Sequence, residues 1–391
     1  MKFASALTTE CDVEEAILSL SKQIDGVEPD LIVVFISADF THDVRPIVES
    51  LRNKINPHLL IGCTAEGVIG QDCEIENQPA ISMIAGWLPG VELTPFVLQA
   101  EASDWPSLLL SEEEFCRMIG APADTSLMIL MGDPFSTPMD DLLEAFNNHC
   151  MKVPLVGGIA SGGLRPHGNA LFVDDQIVQE GVVGVAFSGQ VDIDIVVSQG
   201  CRPIWRPFKI VSARQNVIFN LEGRPPLAWL QDLIPELSEE DRALLQNGLF
   251  VGRAVKTDQE TIGRGDFVIR GVMGIDQESG AIAIGDSVMD GQIVQFHLRD
   301  AVTAQEDLEM MLIPQMFRDM PSGGLLFTCN GRGTRLYDRP NGDISVIQKN
   351  IQNTPLAGFF CAGEIGPIGD VNFIHGQTAT LVLFREAVEV S

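Results

Sequence analysis

Three continuous apolar runs along the chain each end in a small polar cluster. Residues 31–36, 126–131 and 325–328 are rich in Val, Ile, Leu, Met and Phe, without the polar alternation of a half-exposed strand. Such runs are typical of strands that are buried on both faces. We therefore predict three interior β-strands, each of which ends where the polar residues begin.

A helical pattern and then a second apolar strand follow these runs. Over residues 43–54 the apolar positions recur at the i, i+3, i+4, i+7 spacing of an amphipathic helix, and residues 139–150 are also helical in pattern. Second strands are predicted at residues 59–61, 153–156 and, after a longer excursion in the third copy, 355–357. The order strand, helix, strand therefore recurs along the chain.

Each second strand leads into a segment rich in Gly, Ala, Ser, Thr and Cys, which we predict to be a loop. The three segments cover residues 62–70, 157–163 and 358–364. One such segment is common in α/β turns, but three in matching order indicate an internal duplication. Ligands of α/β sheets bind at the carboxyl ends of strands, which is where these segments fall.

The alternation of buried strands with helices predicts an α/β fold, in which repeated strand–helix–strand units form mostly buried sheets flanked by helices. Further strands follow the glycine-rich segments, so the sheets are expected to be mixed. Residues 182–188 and 191–198 are joined by Gly189-Gln190, which predicts a hairpin. We expect two closely packed halves, with domains at residues 1–200 and 201–391.

The net charge and the cysteines indicate which partners and which cellular compartment to expect. The 391 residues include 54 acidic and 25 basic ones, for a net charge of −29. This field repels phosphate backbones and anionic membrane surfaces, so neither nucleic acid nor a membrane is expected as a partner. No apolar run approaches the roughly 20 residues that span a bilayer, and no secretory signal is recognised. The eight cysteines include no Cys-x-x-Cys pair and are expected to be reduced thiols in the cytoplasm.

Polar residues at strand ends are the candidates for ligand binding. Arg202 follows Gln199 at the end of an apolar strand, and it could clamp a carboxylate through two hydrogen bonds or neutralise nearby acidic groups. Both interpretations stay open. Residues 329–332 place a thiol, an amide and a guanidinium at another strand end, and Glu364 adds a carboxylate.

The cysteines also permit an alternative in which the chain is a thiol enzyme. Cys63, Cys329 or Cys361 would be the nucleophile, with Glu364 and His375 as its polar neighbours. Buried cysteines that serve only as small apolar side chains are the simpler interpretation. No metal is expected because the six histidines lack metal-site spacing, and no cofactor is expected, although haem stays open since one His or Cys can ligate it.

Taken together, these motifs resemble the FIST family, with an N-terminal and a C-terminal FIST domain over nearly the whole chain. The resemblance implies a sensory module that binds small ligands, such as amino acids or related metabolites. The family also occurs fused to signalling domains, and none is recognised here, so the protein is expected to signal through a partner protein. The residues that carry the resemblance are 4–7, 30–37, 61–64, Gly158 with its surrounding loop, 181–188, 198–204, 327–333, 356–360 and 363–367.

We therefore predict a non-enzymatic cytosolic sensor that binds a small polar, zwitterionic ligand where the strand ends converge. Arg202 or Arg332 would hold the carboxylate of the ligand and Glu364 its amine. A protein-interaction adaptor is the remaining alternative. The predicted ligand-binding residues are Gly62, Cys63, Thr64, Gly158, Ser161, Gln199, Arg202, Cys329, Asn330, Gly331, Arg332, Glu364 and His375.

Overall fold

The computed structural model describes residues 1–24, 28–101, 104–255 and 263–387. The chain forms two compact units. Unit 1 comprises Met1–Val197, Leu308–Ile374 and the chain from Thr378, and unit 2 comprises Ser198–Asp307 and His375–Gln377. Unit 1 combines segments from both sides of residue 200, and the division into sequential domains 1–200 and 201–391 stays a prediction.

The predicted apolar runs all lie in strands. In chain order the strands are β1 (Lys2–Thr8), β2 (Leu31–Ser37), β3 (Leu59–Ala65), β4 (Gly67–Ile69), β5 (Glu74–Glu76), β6 (Ile81–Trp87), β7 (Val91–Leu98), β8 (Thr125–Gly132), β9 (Leu155–Ile159), β10 (Leu171–Val173), β11 (Gln176–Val178), β12 (Val182–Gly189), β13 (Val191–Gln199), β14 (Cys201–Pro203), β15 (Phe208–Arg214), β16 (Val217–Leu221), β17 (Phe250–Ala254), β18 (Phe267–Ile275), β19 (Ile282–Ile284), β20 (Ile293–Arg299), β21 (Gly323–Cys329), β22 (Leu356–Cys361), β23 (Glu364–Ile368), β24 (Val371–His375) and β25 (Thr378–Glu386).

The helices are short and mostly amphipathic. They are α1 (Val13–Gln23), α2 (Val44–Ile55), α3 (Trp105–Leu110), α4 (Glu112–Ile119), α5 (Met139–His149), α6 (Pro226–Leu233), α7 (Glu239–Gln246), α8 (Ala301–Leu312), α9 (Thr334–Tyr337) and α10 (Gly342–Asn350). None of the helices in the described ranges is long and apolar enough to cross a membrane.

Unit 1 contains the strand–helix–strand unit three times. The strands β2 and β3 are parallel neighbours joined through α2, β8 and β9 are joined through α5, and β21 and β22 are joined through α10. One antiparallel strand flanks each pair, namely β6 on β2, β12 on β8 and β25 on β21. The predicted α/β fold, with mixed sheets flanked by helices, is confirmed.

Each repeat also sends a short hairpin into the sheet of another repeat. The hairpin β4–β5 of the first repeat pairs with β22 of the third, β10–β11 of the second pairs with β3 of the first, and β23–β24 of the third pairs with β9 of the second. The three sheets therefore share one layout, with strand orders β1-β6-β2-β3-β10-β11, β7-β12-β8-β9-β23-β24 and β13-β25-β21-β22-β4-β5. Because the exchange runs through all three sheets, the repeats of unit 1 are linked in a closed cycle.

The three sheets share one apolar core. Phe35, Phe327 and Phe359 meet in it, with ring centroids 4.9 Å apart for Phe35 and Phe359 and 5.8 Å apart for Phe327 and Phe359. The other face of each sheet packs on helices, which are α1 and α2 in the first repeat, α3 to α5 in the second, and α8 and α10 in the third. Coverage on both faces explains the uninterrupted apolar runs of the central strands.

Unit 2 consists mainly of β-strands, and most of its residues follow β13 and precede β21 in the sequence. Its seven strands have the order β14-β20-β15-β16-β19-β18-β17. Because β17 also pairs with β20, six of these strands close into a ring. Phe208 and Phe296 lie in its core, and Trp229 packs against them.

Two local predictions are wrong. Gly62, Gly158 and Gly358 lie inside strands instead of loops. A Cβ at Gly62 or Gly358 would stand 1.9 Å from a carbonyl oxygen of the neighbouring strand. Glycine at these positions permits close pairing of the strands. The hairpin across Gly189-Gln190 does not form, because β12 already pairs on both edges, with β7 and β8, and β13 pairs with β25.

Candidate functional site

The carboxyl ends of the central strands bring side chains from all three repeats of unit 1 together. Glu66 follows β3, Ser161 lies just beyond β9, and Asn330 follows β21. Arg335 lies five residues further on, in α9. We call these four residues the strand-end cluster.

Hydrogen bonds centred on Glu66 hold the strand-end cluster together. The backbone N–H of Glu66 donates to Ser161 Oγ at 2.9 Å, and Ser161 Oγ donates to the carbonyl oxygen of Phe360. Asn330 Nδ2 donates to Glu66 Oε2 at 3.1 Å. Arg335 Nη1 donates to the same oxygen at 3.2 Å, and Arg335 Nη2 donates to Glu66 Oε1. Glu66 therefore joins the first repeat to the second through its backbone and to the third through its side chain.

The charged pair of this cluster lies at the surface and lines a small cavity. The side chain of Arg335 is 51% exposed and that of Glu66 is 34% exposed. They line a cavity of about 10 Å³, which Asn330 and the buried Phe360 also line. That volume is about what one water molecule needs. The Glu66–Arg335 pair thus borders a cavity of about the size of one water molecule.

A glycine turn places Arg335 in this position. Gly333 has φ +55°, and a Cβ there would meet Glu76 Oε1 at 2.6 Å and Phe360 Cε1 at 2.8 Å. Glu76 accepts hydrogen bonds from the N–H of Thr334 at 2.9 Å and from its hydroxyl at 3.0 Å. Only glycine combines this backbone conformation with so close an approach, and it lets the chain pass over Phe360 and begin α9.

Arg332 lies behind the cluster and is fully buried in an ion pair. Its Nε donates to Asp343 Oδ2 at 2.8 Å and its Nη2 donates to Asp343 Oδ1 at 2.6 Å, while Nη2 also donates to Tyr337 Oη at 2.8 Å. Burial alone would lower the pKa of Arg332, but the Asp343 carboxylate outweighs this effect and the pKa is raised. The geometry gives Arg332 a structural counterion within its own repeat.

The exchanged hairpin of the first repeat reinforces this network. Glu74, in β5, accepts hydrogen bonds from the first N–H groups of α10, those of Gly342, Asp343 and Ile344, at 3.0, 2.9 and 2.8 Å. Burial, followed by the nearby Asp343 charge, raises the pKa of Glu74 to about 7. A carboxylate at a helix N-terminus satisfies orphan N–H groups, so the hairpin caps the third crossover helix.

Glu364 is a buried carboxyl group beside the cysteines of the strand ends. Its Oε2 accepts hydrogen bonds from the N–H of Thr378 at 3.0 Å and from its hydroxyl at 2.6 Å. Burial raises the pKa of Glu364 to about 8, although hydrogen bonds from Thr378 and Cys329 oppose the rise. Burial also raises the pKa of the Cys361 thiol and, in the facing sheet, that of Cys63.

Other predicted site residues of unit 1 shape the backbone around the cluster. Thr64 Oγ1 accepts a hydrogen bond from the N–H of Ala170 at 2.9 Å. Gly158 pairs with Glu364 across β9 and β23, and a Cβ at Gly158 would lie 2.2 Å from Cys361 Sγ. Gly62, Cys63, Thr64, Gly158, Ser161, Cys329, Asn330, Gly331, Arg332 and Glu364 are thus all in unit 1.

Gln199, Arg202 and His375 belong instead to unit 2. Arg202 Nε donates to Asp300 Oδ2 at 2.8 Å, and its Nη2 donates to Asp241. Burial would lower the pKa of Arg202, but the hydrogen bonds that it donates to these carboxylates raise the pKa. Gln199 Nε2 donates to the backbone carbonyl of Phe267 at 2.6 Å, and His375 is buried at the end of β24. Arg202 thus has two carboxylate partners within its own unit.

A larger cavity of about 210 Å³ lies elsewhere in unit 1, at the end of β8. Its described lining includes the carboxylates of Glu101, Asp133 and Glu180 and no Lys or Arg. Asp133 is buried, and its carboxylate accepts hydrogen bonds from Ser136 and Asn169 at 2.8 and 2.9 Å. Within the part of the chain that the structure describes, no group of His, Cys, Asp and Glu is arranged to hold a metal ion. The carboxylates of this cavity are acceptors that suit a cationic group.

Two members of the strand-end cluster, Glu66 and Arg335, are not among the predicted ligand-binding residues. Arg335 stands two residues beyond Gly333, outside the motif of small residues that marked this strand end. Its partner Glu66 is more than 260 residues away along the chain, in the exchanged connection of the first repeat. The scarcity of basic residues, 25 against 54 acidic ones, is the signal that could have drawn attention to it.

Comparison with known proteins matches most of the chain to two adjacent domains. The FIST N domain matches residues 30–224, and the FIST C domain matches residues 226–367. A protein of Mycobacterium tuberculosis is 36% identical over 391 residues, which cover 98% of this chain and 100% of the relative. A protein of Mycobacterium bovis is 36% identical over 396 residues, which cover all of both chains. Both relatives are described as uncharacterized.

Proposed function

The chain belongs to the FIST family, and from that premise we propose that it is a sensor of a small zwitterionic metabolite, such as an amino acid, bound at the strand-end cluster. FIST domains are associated with signal transduction and small-ligand sensing. The observation that carries the proposal is the Glu66–Arg335 pair, in which opposite charges from two repeats meet beside a small cavity that the buried Phe360 also lines.

The charges of this pair match those of an α-amino acid. A ligand that entered between the two side chains would give its carboxylate to Arg335 and its ammonium group to Glu66. Arginine offers a planar fork of donors that fits a carboxylate. Asn330, whose side chain already reaches Glu66, lies at the same opening. The carboxylate of the ligand would therefore replace Glu66 as the partner of Arg335, and its ammonium group would replace Arg335 as the partner of Glu66.

Opening the pair costs little free energy. Both side chains are substantially exposed, and ion pairs of this kind contribute about 0–1 kcal/mol to stability. The buried pair of Arg332 and Asp343 is different, because removing one partner there leaves a charge without compensation. Arg335 can therefore exchange its partner more easily than Arg332 can. We propose that Arg335, and not Arg332, binds the carboxylate of the ligand.

The proposed activity is binding without catalysis. Burial raises the pKa of Cys63 and of Cys361, so these thiols stay protonated near neutral pH and are poor nucleophiles. The proposed output is contact with a partner protein in the cytoplasm, and the net charge of −29 makes nucleic acid and anionic membranes poor partners. Capture of partners from native lysate with and without the ligand separates a sensor from an adaptor that binds regardless of ligand.

Calorimetry against a panel of the common amino acids tests the site. We expect at least one to bind the wild type, and Arg335→Gln to weaken that binding by about 10- to 100-fold, the loss of a charge-assisted hydrogen bond. Arg117→Gln is a matched control, since Arg117 forms an exposed pair with Glu114 elsewhere in unit 1. Equal affinity of the wild type and Arg335→Gln would refute the site. Weakening by Glu180→Gln alone would move the ligand to the larger cavity.

A further inference from the structure

Cys329 and Cys361 occupy matched positions at the ends of two neighbouring parallel strands. Cys329 ends β21, Cys361 ends β22, and the two are partners in the register of the sheet. Phe327 and Phe359 are the register partners two residues earlier, and their ring centroids are 5.8 Å apart. Because side chains alternate along a strand, both cysteines lie on the same face as these rings.

This placement suits a disulfide between adjacent strands. Neighbouring strands lie about 4.8 Å apart, within the roughly 4.4–6.8 Å that separates the Cα atoms of bonded cysteines. Both residues are thiols in this structure. The charge of Cys329 contributes to raising the pKa of Cys361, after burial, Glu364 and Cys63, so the two sulfur atoms lie within electrostatic reach of each other.

The surroundings of Cys329 differ from those of an ordinary buried cysteine. The N–H of Gly331 donates to Cys329 Sγ at 3.4 Å. The charge of Cys329 also contributes to raising the pKa of both Arg332 and Arg335, so two guanidinium groups lie near the sulfur. An N–H donor and positive charges stabilise a thiolate. Cys329 is therefore the cysteine of this pair that is better placed to react.

Glu364 lies on the other side, and it can accept a proton in its ionised form, above its pKa of about 8. An interaction with the Cys329 side chain helps to lower the pKa of Glu364, so the thiol lies near the carboxyl group. Its Oε2 is occupied by Thr378, whereas Oε1 receives no hydrogen bond of ordinary geometry from the described residues, although the carboxyl group is fully buried. A thiol, a carboxylate oxygen open to it and a second thiol in register thus meet at one strand end.

We propose that hydrogen peroxide oxidises Cys329 and that Cys361 then closes a Cys329–Cys361 disulfide, with Glu364 carrying the proton. In its ionised form, Glu364 takes the proton of the Cys329 thiol, and the thiolate attacks one peroxide oxygen. The S–O bond forms as the O–O bond breaks, and the departing hydroxide takes the proton from Glu364 to become water. Burial keeps the Cys361 thiol protonated, but its register position beside Cys329 lets it displace the hydroxyl group of the sulfenic acid, which leaves as a second water with the Cys361 proton. Two thiols and one peroxide give one disulfide and two waters.

Mass spectrometry of the full chain after brief peroxide treatment tests the proposal. Free thiols are first alkylated, and the chain is then digested with trypsin in the absence of a reductant. Cys329 lies in the tryptic peptide that ends at Arg332, and Cys361 lies in the one that ends at Arg385. We expect these two peptides to be joined, two hydrogens lighter than their sum, and to separate on reduction. A bridge that involves Cys63 instead, or oxidation confined to other cysteines, would overturn the assignment.

Variants separate the roles of the three residues. In Cys361→Ser the sulfenic acid should persist on Cys329 and be captured by dimedone, whereas Cys329→Ser should leave no dimedone adduct on Cys361. At pH 9, where Glu364 is ionised, Glu364→Gln should slow bridge formation at least tenfold, because a positioned proton acceptor contributes about 10²-fold or more. Glu144→Gln, at an exposed site, is the control. An unchanged rate in Glu364→Gln would remove Glu364 from the proposal, and the wild-type digest decides the disulfide itself even if a variant fails to fold.

Discussion

Replacing Glu364 with Gln should make the stability of the protein less sensitive to alkaline pH. Glu364 is fully buried, and its pKa is raised from 4.5 to about 8, chiefly by that burial. The folded protein therefore holds this proton more tightly than the unfolded chain does. Stability from the protonated carboxyl group is present below pH 4.5 and is lost as the pH rises towards 8.

The size of this effect follows from the two pKa values. One pKa unit corresponds to about 1.4 kcal/mol, so the rise from 4.5 to about 8 corresponds to ~5 kcal/mol at most. Glutamine does not titrate, and its carbonyl oxygen can accept both hydrogen bonds from Thr378. The variant should match the wild type near pH 5 and exceed its free energy of unfolding by up to ~5 kcal/mol at pH 9.

Urea unfolding followed by circular dichroism from pH 5 to pH 9 measures this difference. Glu74 also has a raised pKa, about 7, so some pH dependence should remain in the Glu364→Gln variant. Glu144→Gln, at an exposed position on α5, should follow the wild type throughout. If the curves of the wild type and of Glu364→Gln ran parallel, the carboxyl group would not titrate in the folded protein as argued.

Two further substitutions test the packing behind the strand-end cluster. Asp343→Asn leaves the Arg332 guanidinium buried beside a neutral group and should lower the free energy of unfolding by about 3–5 kcal/mol. The control Asp338→Asn, on the surface, should change this free energy by less than about 0.5 kcal/mol. Equal urea midpoints for the two variants would contradict the expected cost at Asp343. Gly62→Ala puts a Cβ 1.9 Å from a carbonyl oxygen of β2 and should cost at least ~3 kcal/mol. Gly271→Ala, with open space around it, should be tolerated in the same assay, and similar melting temperatures for both alanine variants would show that the close approach at Gly62 is not needed.

The central strands could be predicted because a strand that is buried on both faces appears in the sequence as an uninterrupted apolar run. Strand β2 consists entirely of buried residues from Leu31 to Ser37, and helix α2 buries Val44, Ile47 and Leu51 at the expected spacing. The order of strand and helix then implied parallel pairs. These features depend on residues close together in the chain, where periodicity is informative.

The exchange of hairpins could not be predicted in this way. It depends on which sheet edge each hairpin meets, and nothing local to β4 specifies β22 as its partner. The helix α10 was missed for a related reason, since the carboxylate that caps its N-terminus, Glu74, is 268 residues from Gly342. Interactions so distant in the chain leave no periodic signal.

The sequence indicated some residues of the strand-end cluster but not how its arginines are paired. Asn330 and Ser161 do lie where strand ends converge, and Glu66 and Arg335 join them there. Arg332 is instead held by Asp343, which lies in the helix that the sequence did not reveal. Judging which arginine can meet a ligand requires knowing which one is already paired and buried.

The most direct test of the ligand site is a calorimetric comparison of an amino acid with its decarboxylated amine. The probe is the tightest-binding amino acid of the panel, titrated into the wild type, Arg335→Gln and Glu66→Gln. If Arg335 holds the carboxylate, Arg335→Gln should weaken the amino acid by about 10- to 100-fold and leave the amine unchanged, while Glu66→Gln should weaken both. Equal losses for the amino acid and the amine in Arg335→Gln, or no loss for either, would contradict a zwitterion bound between these two side chains.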